Sequence, residues 1–269
     1  MSAVHDARRI RRTVLDASYR AHVGHIGSCL SVAEILATLY RDVLQGAAPD
    51  DPSRDRFVMS KGHAALALYA ALRLRGWLAD GEIETFCGPR GGLGVHPEPG
   101  TAGVDFGTGS LGQGLSYATG AALAARLQGS ARRAFVLASD AECNEGALWE
   151  AVMFAAHHRL SALVAIVDVN GQQALGYTKD VLDLEPLGPR FTAFGWDVVE
   201  VDGHDTVALK EALSRPASPG GAPRVVLART IFGKGVSFME RQVAWHYLPM
   251  TAEQYAAAVA EVGGEEPSP

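Results

Sequence analysis

Residues 134–171 read AFVLASDAECNEGALWEAVMFAAHHRLSALVAIVDVNG, and this stretch decides the fold class. Two apolar runs, 134–138 and 162–167, flank a segment of helical composition from about 146 to 159. A strand–helix–strand unit takes about 30 residues or more and returns the chain to a parallel neighbouring strand. The sequence therefore predicts an α/β fold built on a mostly parallel sheet.

Two polar side chains follow the two predicted strands of this unit. Asp140 comes after the first run and Asn170 after the second, so both should emerge at the carboxyl edge of the sheet, where α/β proteins bind ligands. A carboxylate and an amide oxygen are hard donors that suit Mg²⁺ or Ca²⁺. An aspartate after a strand is also a common helix cap, and Asn-Gly is a common turn. Both interpretations remain open on spacing alone.

Composition limits the possible classes of protein. The chain has 269 residues, is 48% hydrophobic and carries a formal net charge of -6, which favours one large domain over 1–263 and argues against nucleic-acid binding. The polar, proline-bearing segment 264–269 should be a flexible tail. No apolar run reaches about 18 residues and the N-terminus lacks a signal-peptide core, so we expect a cytoplasmic protein that does not enter a membrane.

The N-terminal region should contain two helices separated by a glycine-containing loop. The first spans about 3–22, and its arginines at positions 8, 9, 11 and 12 should lie largely on solvated faces. Ser31 and Glu34 have the spacing of a capping box, which predicts that a second helix starts there and reaches about residue 40.

Four histidines lie in or beside predicted loops. His25, His63 and His96 each belong to a glycine-containing junction, and His246 follows later in the chain. None of them forms the H-x-x-x-H pair of a helical zinc site. We interpret them as groups that transfer protons or bind hydroxyl groups.

A glycine-rich string, GTGSLGQG at 107–114, leads into a predicted helix from about 115 to 127. Such turns present backbone N–H groups to phosphate. The string also matches the dinucleotide fingerprint G-x-G-x-x-G, which raises a dehydrogenase as a minor alternative. That fingerprint needs a strand before it and an acidic residue about 20 positions later, whereas 103–106 is too short and two arginines open the next strand. Further strands are expected within 55–63, where a short strand runs into Gly62 and His63, and at 195–202 and 224–229.

Six motifs carry a resemblance to a known family: GHIG at 24–27, DRFVMSKGH at 55–63, TGSLGQG at 108–114, NEGALWEA at 144–151, DVNG at 168–171 and GKGVSFME at 233–240. From about residue 9 to 255 the chain resembles the N-terminal, thiamine diphosphate-binding half of transketolase, in its two-gene form. The resemblance implies a three-layer α/β/α domain of the thiamine diphosphate-binding type.

The resemblance also implies a set of site residues. The metal ion, Mg²⁺ or Ca²⁺, would be bound by Asp140, Asn170 and the backbone carbonyl of Gln172. Thiamine diphosphate would contact Gly109, Ser110, Leu111, Asp140, Ala141 and Asn170. The catalytic groups would be His25, His63, His96 and His246, which would face the sugar, and Glu145, which would lie at the subunit contact.

The implied activity is transfer of a two-carbon ketol unit from a ketose, such as a sugar phosphate, to an aldehyde acceptor. The glutamate that activates the cofactor belongs to the family's pyrimidine-binding domain, so the resemblance implies an α₂β₂ assembly with a separately encoded partner subunit. One alternative is a 2-oxoacid dehydrogenase-like enzyme or a biosynthetic relative that delivers a two-carbon unit to a carrier. Another is a non-catalytic scaffold subunit.

One departure from the family pattern lies at the predicted metal site. The family has Gly-Asp-Gly where this chain has Ser139, Asp140 and Ala141. If the third position required a positive φ, alanine there would cost on the order of 1 kcal/mol. Because the aspartate and the Ala141 N–H remain, we expect metal and cofactor to bind.

Overall fold

The computed structural model describes residues 2–89, 91–216, 218 and 220–263, so the predicted tail 264–269 lies outside the described residues. The strands are β1 (Arg56–Met59), β2 (Ala134–Ser139), β3 (Leu163–Val169), β4 (Gln172–Gln173), β5 (Gly176–Tyr177), β6 (Asp197–Asp202) and β7 (Arg224–Arg229). The helices are α1 (Ala3–Ala21), α2 (Ile26–Ser31), α3 (Ala33–Thr38), α4 (Ala65–Leu74), α5 (Asp80–Ile83), α6 (Gly114–Leu127), α7 (Gly146–His157), α8 (Thr178–Val181), α9 (Leu187–Ala193), α10 (Thr206–Ser214) and α11 (Ala252–Val262).

The main sheet has five strands in the order β1-β2-β3-β7-β6, and every neighbouring pair is parallel. The predicted strand–helix–strand unit is confirmed as β2, α7 and β3, because β2 and β3 pair directly with Ser139 opposite Asp168. Since all five strands point the same way, the loops that follow β1, β2, β3 and β7 emerge at one edge. Strands β4 and β5 form a separate two-residue hairpin after β3.

Alternate residues of the central strands pack into two different cores, one on each face of the sheet. Phe135 and Ile166 belong to the core under α1, α3 and α4, whereas Val136 and Val167 belong to the core under α6, α7 and α9. This pattern is expected of parallel strands buried on both faces. The predicted three-layer α/β/α arrangement is therefore confirmed.

The predicted capping box at Ser31 and Glu34 is wrong. Ser31 is the last residue of α2, and α3 begins after a break at Val32. The Ser31 hydroxyl donates instead to Asp168 Oδ2, at 2.8 Å. The carboxylate of Glu34 accepts from both terminal nitrogens of Arg11, each at 2.6 Å. Long-range partners for both side chains thus replace the local cap.

The prediction that the α1 arginines lie on solvated faces is wrong for Arg11. Its side chain is 6% exposed and pairs with Glu34, which joins α1 to α3. Although burial opposes it, hydrogen bonds from His204 and Arg11 lower the pKa of the Glu34 carboxyl to about 2. Buried charges in proteins are paired in this way.

The segment before the glycine-rich loop does not support a dinucleotide fold. Residues 103–106 form a turn and a bend where the fingerprint requires a strand. Among the residues that the structure describes, none of the helices is both long and apolar enough to cross a bilayer.

Candidate active site

A cavity of about 290 Å³ opens at the carboxyl edge of the sheet. Its walls come from the loops after β1, β2 and β3, from the glycine-rich loop and from the turn that carries His246. The lining residues are His25, Ser28, Lys61, His63, His96, Gly109, Leu111, Ser139, Ala141, Asn144, Glu145, Asn170, Gln172, Gln173, Ala174 and His246.

The loops after β2 and β3 meet through the carboxylate of Asp140. Its Oδ2 accepts from the Gly171 N–H at 2.7 Å, and its Oδ1 accepts from the Ala141 N–H at 2.9 Å. Asn170 is on the cavity wall, and its Oδ1 accepts from the Gln172 N–H at 2.9 Å. Burial and then the charge of Asp168 raise the pKa of Asp140 to about 7. The structure therefore brings the carboxylate and the amide, 30 positions apart, to one place.

Asp168, which received no role from the sequence, connects four segments of this edge. Its carboxylate accepts from Lys61 Nζ at 2.5 Å, from Ser31 Oγ at 2.8 Å, from Asn170 Nδ2 at 2.8 Å and from the Thr230 hydroxyl. Although burial opposes ionisation, the charge and hydrogen bond of Lys61 lower the pKa of Asp168. A carboxylate inside an otherwise apolar strand was the signal for this role, because a buried charge requires partners.

Glu142 fastens the glycine-rich loop to the sheet. One carboxylate oxygen accepts from Ser60 Oγ at 2.6 Å and from the Gly112 N–H at 2.9 Å. The other accepts from the Ser139 N–H at 2.9 Å. Because Glu142 is fully buried, these three donors replace its water. The sequence analysis also missed this residue.

The glycine-rich loop approaches the end of β1 closely. Gly109 has φ +147° and Gly112 has φ +76°, conformations that favour glycine. A Cβ on Gly62 would lie 2.9 Å from the Gly109 nitrogen, so this close approach requires glycine at position 62. Gly109 and Leu111 line the cavity, whereas Ser110 is exposed between them. The predicted helix after the loop is confirmed as α6, which starts at Gly114.

Three histidines form one wall of the cavity. The ring centroids of His25 and His63 are 5.5 Å apart, and those of His63 and His246 are 6.4 Å apart. His63 Nε2 is 3.1 Å from Ser28 Oγ. The ring of Phe232 stacks on His246 with a centroid distance of 4.4 Å, which fixes the plane of that imidazole.

His96 reaches the same cavity from the opposite loop. Its backbone carbonyl accepts from the Tyr69 hydroxyl at 2.9 Å, and a Cβ on Gly109 would lie 3.1 Å from its ring. The structure therefore brings together all four histidines that the sequence singled out.

The electrostatic surroundings favour neutral imidazoles. Burial and then the charge of Lys61 hold the pKa of His63 well below its usual value and lower the pKa of His246 to about 4. Burial and then His96 lower the pKa of His25. A neutral imidazole has one donor and one acceptor nitrogen, so each ring is able to give and to take a proton.

Glu145 is exposed at the start of α7 and borders the cavity. Ala141 opens the 3₁₀ turn Ala141–Asn144, and its φ is not in the positive region. Alanine would strain the backbone only at a positive φ, so Ala141 is not strained here.

The polar groups of the cavity fit a diphosphate and a hard cation. Gln172 is 2% exposed, and within residues 2–89, 91–216, 218 and 220–263 neither its amide nitrogen nor its amide oxygen has a hydrogen-bond partner. The same holds for His25 Nδ1 and His246 Nδ1. In the described part of the chain no three His, Cys, Asp or Glu side chains group as a metal site. The available donors are instead one carboxylate and one amide oxygen beside backbone N–H groups, which suit Mg²⁺ with a phosphate ligand.

Comparison with known proteins places this geometry in a family. Residues 3–268 match the transketolase, thiamine diphosphate-binding domain. The chain belongs to the transketolase family.

Relatives of similar length are named as components of transketolases. The chain is 41% identical over 264 residues to the 6-deoxy-6-sulfo-D-fructose transketolase subunit of a Clostridium species, covering 97% of this chain and 96% of that protein. It is 40% identical to one subunit of the apulose-4-phosphate transketolase from Phocaeicola vulgatus, covering 94% of this chain and 90% of that protein.

Solved transketolases share the fold but are more than twice as long. The transketolase from Leishmania mexicana superimposes with a TM-score of 0.90 and 31% identity, covering 98% of this chain and 42% of that one. The Campylobacter jejuni transketolase gives a TM-score of 0.90 with 29% identity and 44% of its chain covered. This transketolase-family chain therefore spans less than half of each of these two solved chains.

Proposed function

We propose that the chain is the diphosphate- and metal-binding subunit of a heteromeric, thiamine diphosphate-dependent transketolase. The assembled enzyme would transfer a two-carbon ketol unit from a ketose phosphate to an aldehyde acceptor. The observation that carries this proposal is that Asn170, the glycine-rich loop and four histidines line one cavity, with the Asp140 carboxylate bonded to the Gly171 N–H at its edge. The subunit names of relatives that match nearly end to end support it.

The carboxyl edge of the sheet would hold the cofactor. Asp140, the Asn170 amide oxygen and the Gln172 carbonyl would bind Mg²⁺ or Ca²⁺, whose charge would offset that of the diphosphate. Backbone N–H groups of Gly109, Ser110, Leu111 and Ala141 would donate to the phosphate oxygens. When bound, thiamine diphosphate supplies the carbanion chemistry that breaks and forms the carbon–carbon bond.

The histidine wall would position the sugar and move its protons. His25, His63 and His246 stand side by side, and His96 faces them across Gly109. Imidazoles at these distances would hydrogen-bond to neighbouring hydroxyls of a polyhydroxylated substrate. One of them would take the hydroxyl proton of the donor sugar and return it to the acceptor.

We infer that other subunits cover the face next to Glu145. A cleft of about 330 Å³ between α6 and α7 is lined in part by Gly120, Leu123 and Phe154. The exposed apolar side chains Tyr117, Met153 and Phe154 lie on the same two helices. Contiguous apolar surface beside a site supports an interface there. An interface at this apolar surface would be consistent with an α₂β₂ complex in which a separate subunit supplies the pyrimidine-binding half.

The experiment is a reconstitution assay with the purified chain, its partner subunit, thiamine diphosphate and Mg²⁺. A ketose phosphate with an aldehyde acceptor should give ketol transfer, a 2-oxoacid should not be consumed, and the chain alone should be inactive. His63→Ala should lower kcat/KM at least about 100-fold, whereas the exposed control His157→Ala should not. Consumption of the 2-oxoacid would favour the dehydrogenase-like alternative, and full activity of His63→Ala would favour a scaffold.

A further inference from the structure

We propose that Asp168 is a positioning residue that fixes which end of the Asn170 amide faces the metal ion, with Lys61 as its fixed counterion. The inference rests on the proposed function, because it concerns the same metal site. Asp168 would not touch the metal ion, and it would set the orientation of the site through its hydrogen bond with the Asn170 amide.

The Asn170 amide makes two hydrogen bonds that differ in direction. Its Nδ2 donates to Asp168 Oδ2 at 2.8 Å, and its Oδ1 accepts from the Gln172 N–H at 2.9 Å. An ionised carboxylate only accepts and a backbone N–H only donates. If the amide turned by half a rotation, oxygen would face oxygen and N–H would face N–H. Both contacts therefore select the orientation in which the amide oxygen is available to a cation.

Asp168 itself is held in place by burial and by several hydrogen bonds. Its side chain is fully buried, and donors from three distant segments hold it: Ser31 at the end of α2, Lys61 after β1 and Thr230 after β7. The Lys61 side chain is equally buried and its Nζ lies 2.5 Å from Asp168 Oδ2. Separating a buried charge pair leaves an uncompensated charge in the protein interior, which is strongly destabilising. Asp168 and Lys61 are therefore expected to stay together.

Fixing the orientation of the Asn170 amide should increase the affinity for the metal ion. A ligand whose orientation is set before the metal ion arrives does not lose conformational freedom on binding. Partners that orient metal ligands typically change metal affinity by about 10- to 100-fold when they are mutated. In Asp168→Asn the new side chain carries its own NH₂ group and no longer acts only as an acceptor, so just the Gln172 N–H still selects the Asn170 orientation.

The test is a Mn²⁺ titration of the assembled complex in the presence of thiamine diphosphate, with free Mn²⁺ followed by electron paramagnetic resonance. Asp168→Asn should raise the Kd for Mn²⁺ about 10- to 100-fold. The matched control is Ser31→Ala, which removes one donor from the same Oδ2 without touching Asn170 and should leave the Kd within about threefold. A merely structural role would lower the Tm of both variants and leave both Kd values unchanged.

Two further outcomes keep the result decisive. If Asp168→Asn fails to fold because Lys61 is left unpaired, the double variant with Lys61→Gln is titrated and the same increase in Kd is expected. If either folded variant of Asp168 binds Mn²⁺ as tightly as the wild type, the positioning role is overturned. If the wild-type complex itself takes up no Mn²⁺, the proposed function fails instead.

Discussion

Ala141, like Ser139, differs from the Gly-Asp-Gly pattern that the family resemblance predicts at this site. It opens a 3₁₀ turn without a positive φ, so its methyl group does not strain the backbone. We predict that Ala141→Gly lowers the free energy of unfolding by about 0.4–1 kcal/mol, because glycine adds freedom to the unfolded chain. Urea denaturation measures the change. An increase in stability would mean that the alanine is strained after all.

His246 should make folding stability depend on pH. Its pKa is about 4 in the folded chain and about 6.5 when unfolded. The unfolded state therefore binds the proton first, and stability falls as the pH drops from about 6.5 towards 4. At pH 5 the loss relative to pH 7 is about 2 kcal/mol. His246→Gln should remove this part of the slope in urea denaturation at the two pH values.

The control for the histidine experiment is the exposed His157→Gln, which also removes one imidazole. An equal slope in the wild type and in His246→Gln would contradict the burial of a neutral His246.

Some site residues could be predicted from the order of the strands in the sequence, and others could not. Asp140 and Asn170 could be predicted because each ends a strand of one parallel unit, and such ends share an edge. The partners of Asp168 could not, because Ser31 and Lys61 are 137 and 107 positions away in the chain. Only the folded sheet, in which β1 and β3 flank β2, brings these side chains together.

At the scale of elements, the glycine-rich loop depends on Glu142 for its attachment to β2. In Glu142→Gln one end of the side chain becomes an NH₂ group and must face the N–H of Gly112 or Ser139. Two buried donors then oppose each other, so we predict a loss of about 1–3 kcal/mol in the free energy of unfolding. Because the loop would bind the diphosphate, the affinity for thiamine diphosphate should fall as well.

The matched control is the exposed Glu211→Gln on α10, which makes the same chemical change at the surface. Denaturant unfolding and calorimetry should show little change for this variant. If Glu142→Gln were as stable as Glu211→Gln, the loop would not depend on the Glu142 carboxylate.

Elements with strong periodicity followed the sequence, and one element with a local signal did not. The strands β2 and β3 and the helix α7 formed where apolar runs and helical composition indicated them. The predicted start of the helix at Ser31 was wrong. The Ser31 hydroxyl bonds to Asp168 and the Glu34 carboxylate to Arg11, so neither side chain caps the other's backbone N–H. Tertiary partners outweighed a local cap that contributes only about 1 kcal/mol.

At the scale of the whole molecule, the apolar face of α6 and α7 should determine assembly. Phe154→Glu places a charge beside the cleft between these helices, and desolvating that charge should weaken the subunit contact by about 2 kcal/mol or more. Sedimentation of the chain with its partner should then show smaller species. Val207→Glu, on exposed α10 across the sheet, should leave assembly intact. Equal sedimentation of both variants would contradict an interface at this face.

The gathering of four histidines is a property of the complete fold. They come from the segment before α2, the turn after β1, the loop before α6 and the turn before α11, and no local spacing relates them. The sequence indicated only that each lies in or near a glycine-containing or irregular segment. Their shared cavity, and the Phe232 ring that orients His246, required the packed structure.

The central claim is that the loops after β2 and β3 form one site for a divalent cation and a diphosphate. Calorimetric titration of the assembled complex with thiamine diphosphate tests it most directly, with Mg²⁺ present or removed by a chelator. Uptake should require Mg²⁺ and should be abolished in both Asp140→Ala and Asn170→Ala. Tight binding without a divalent cation, or binding that survives both substitutions, would contradict the account.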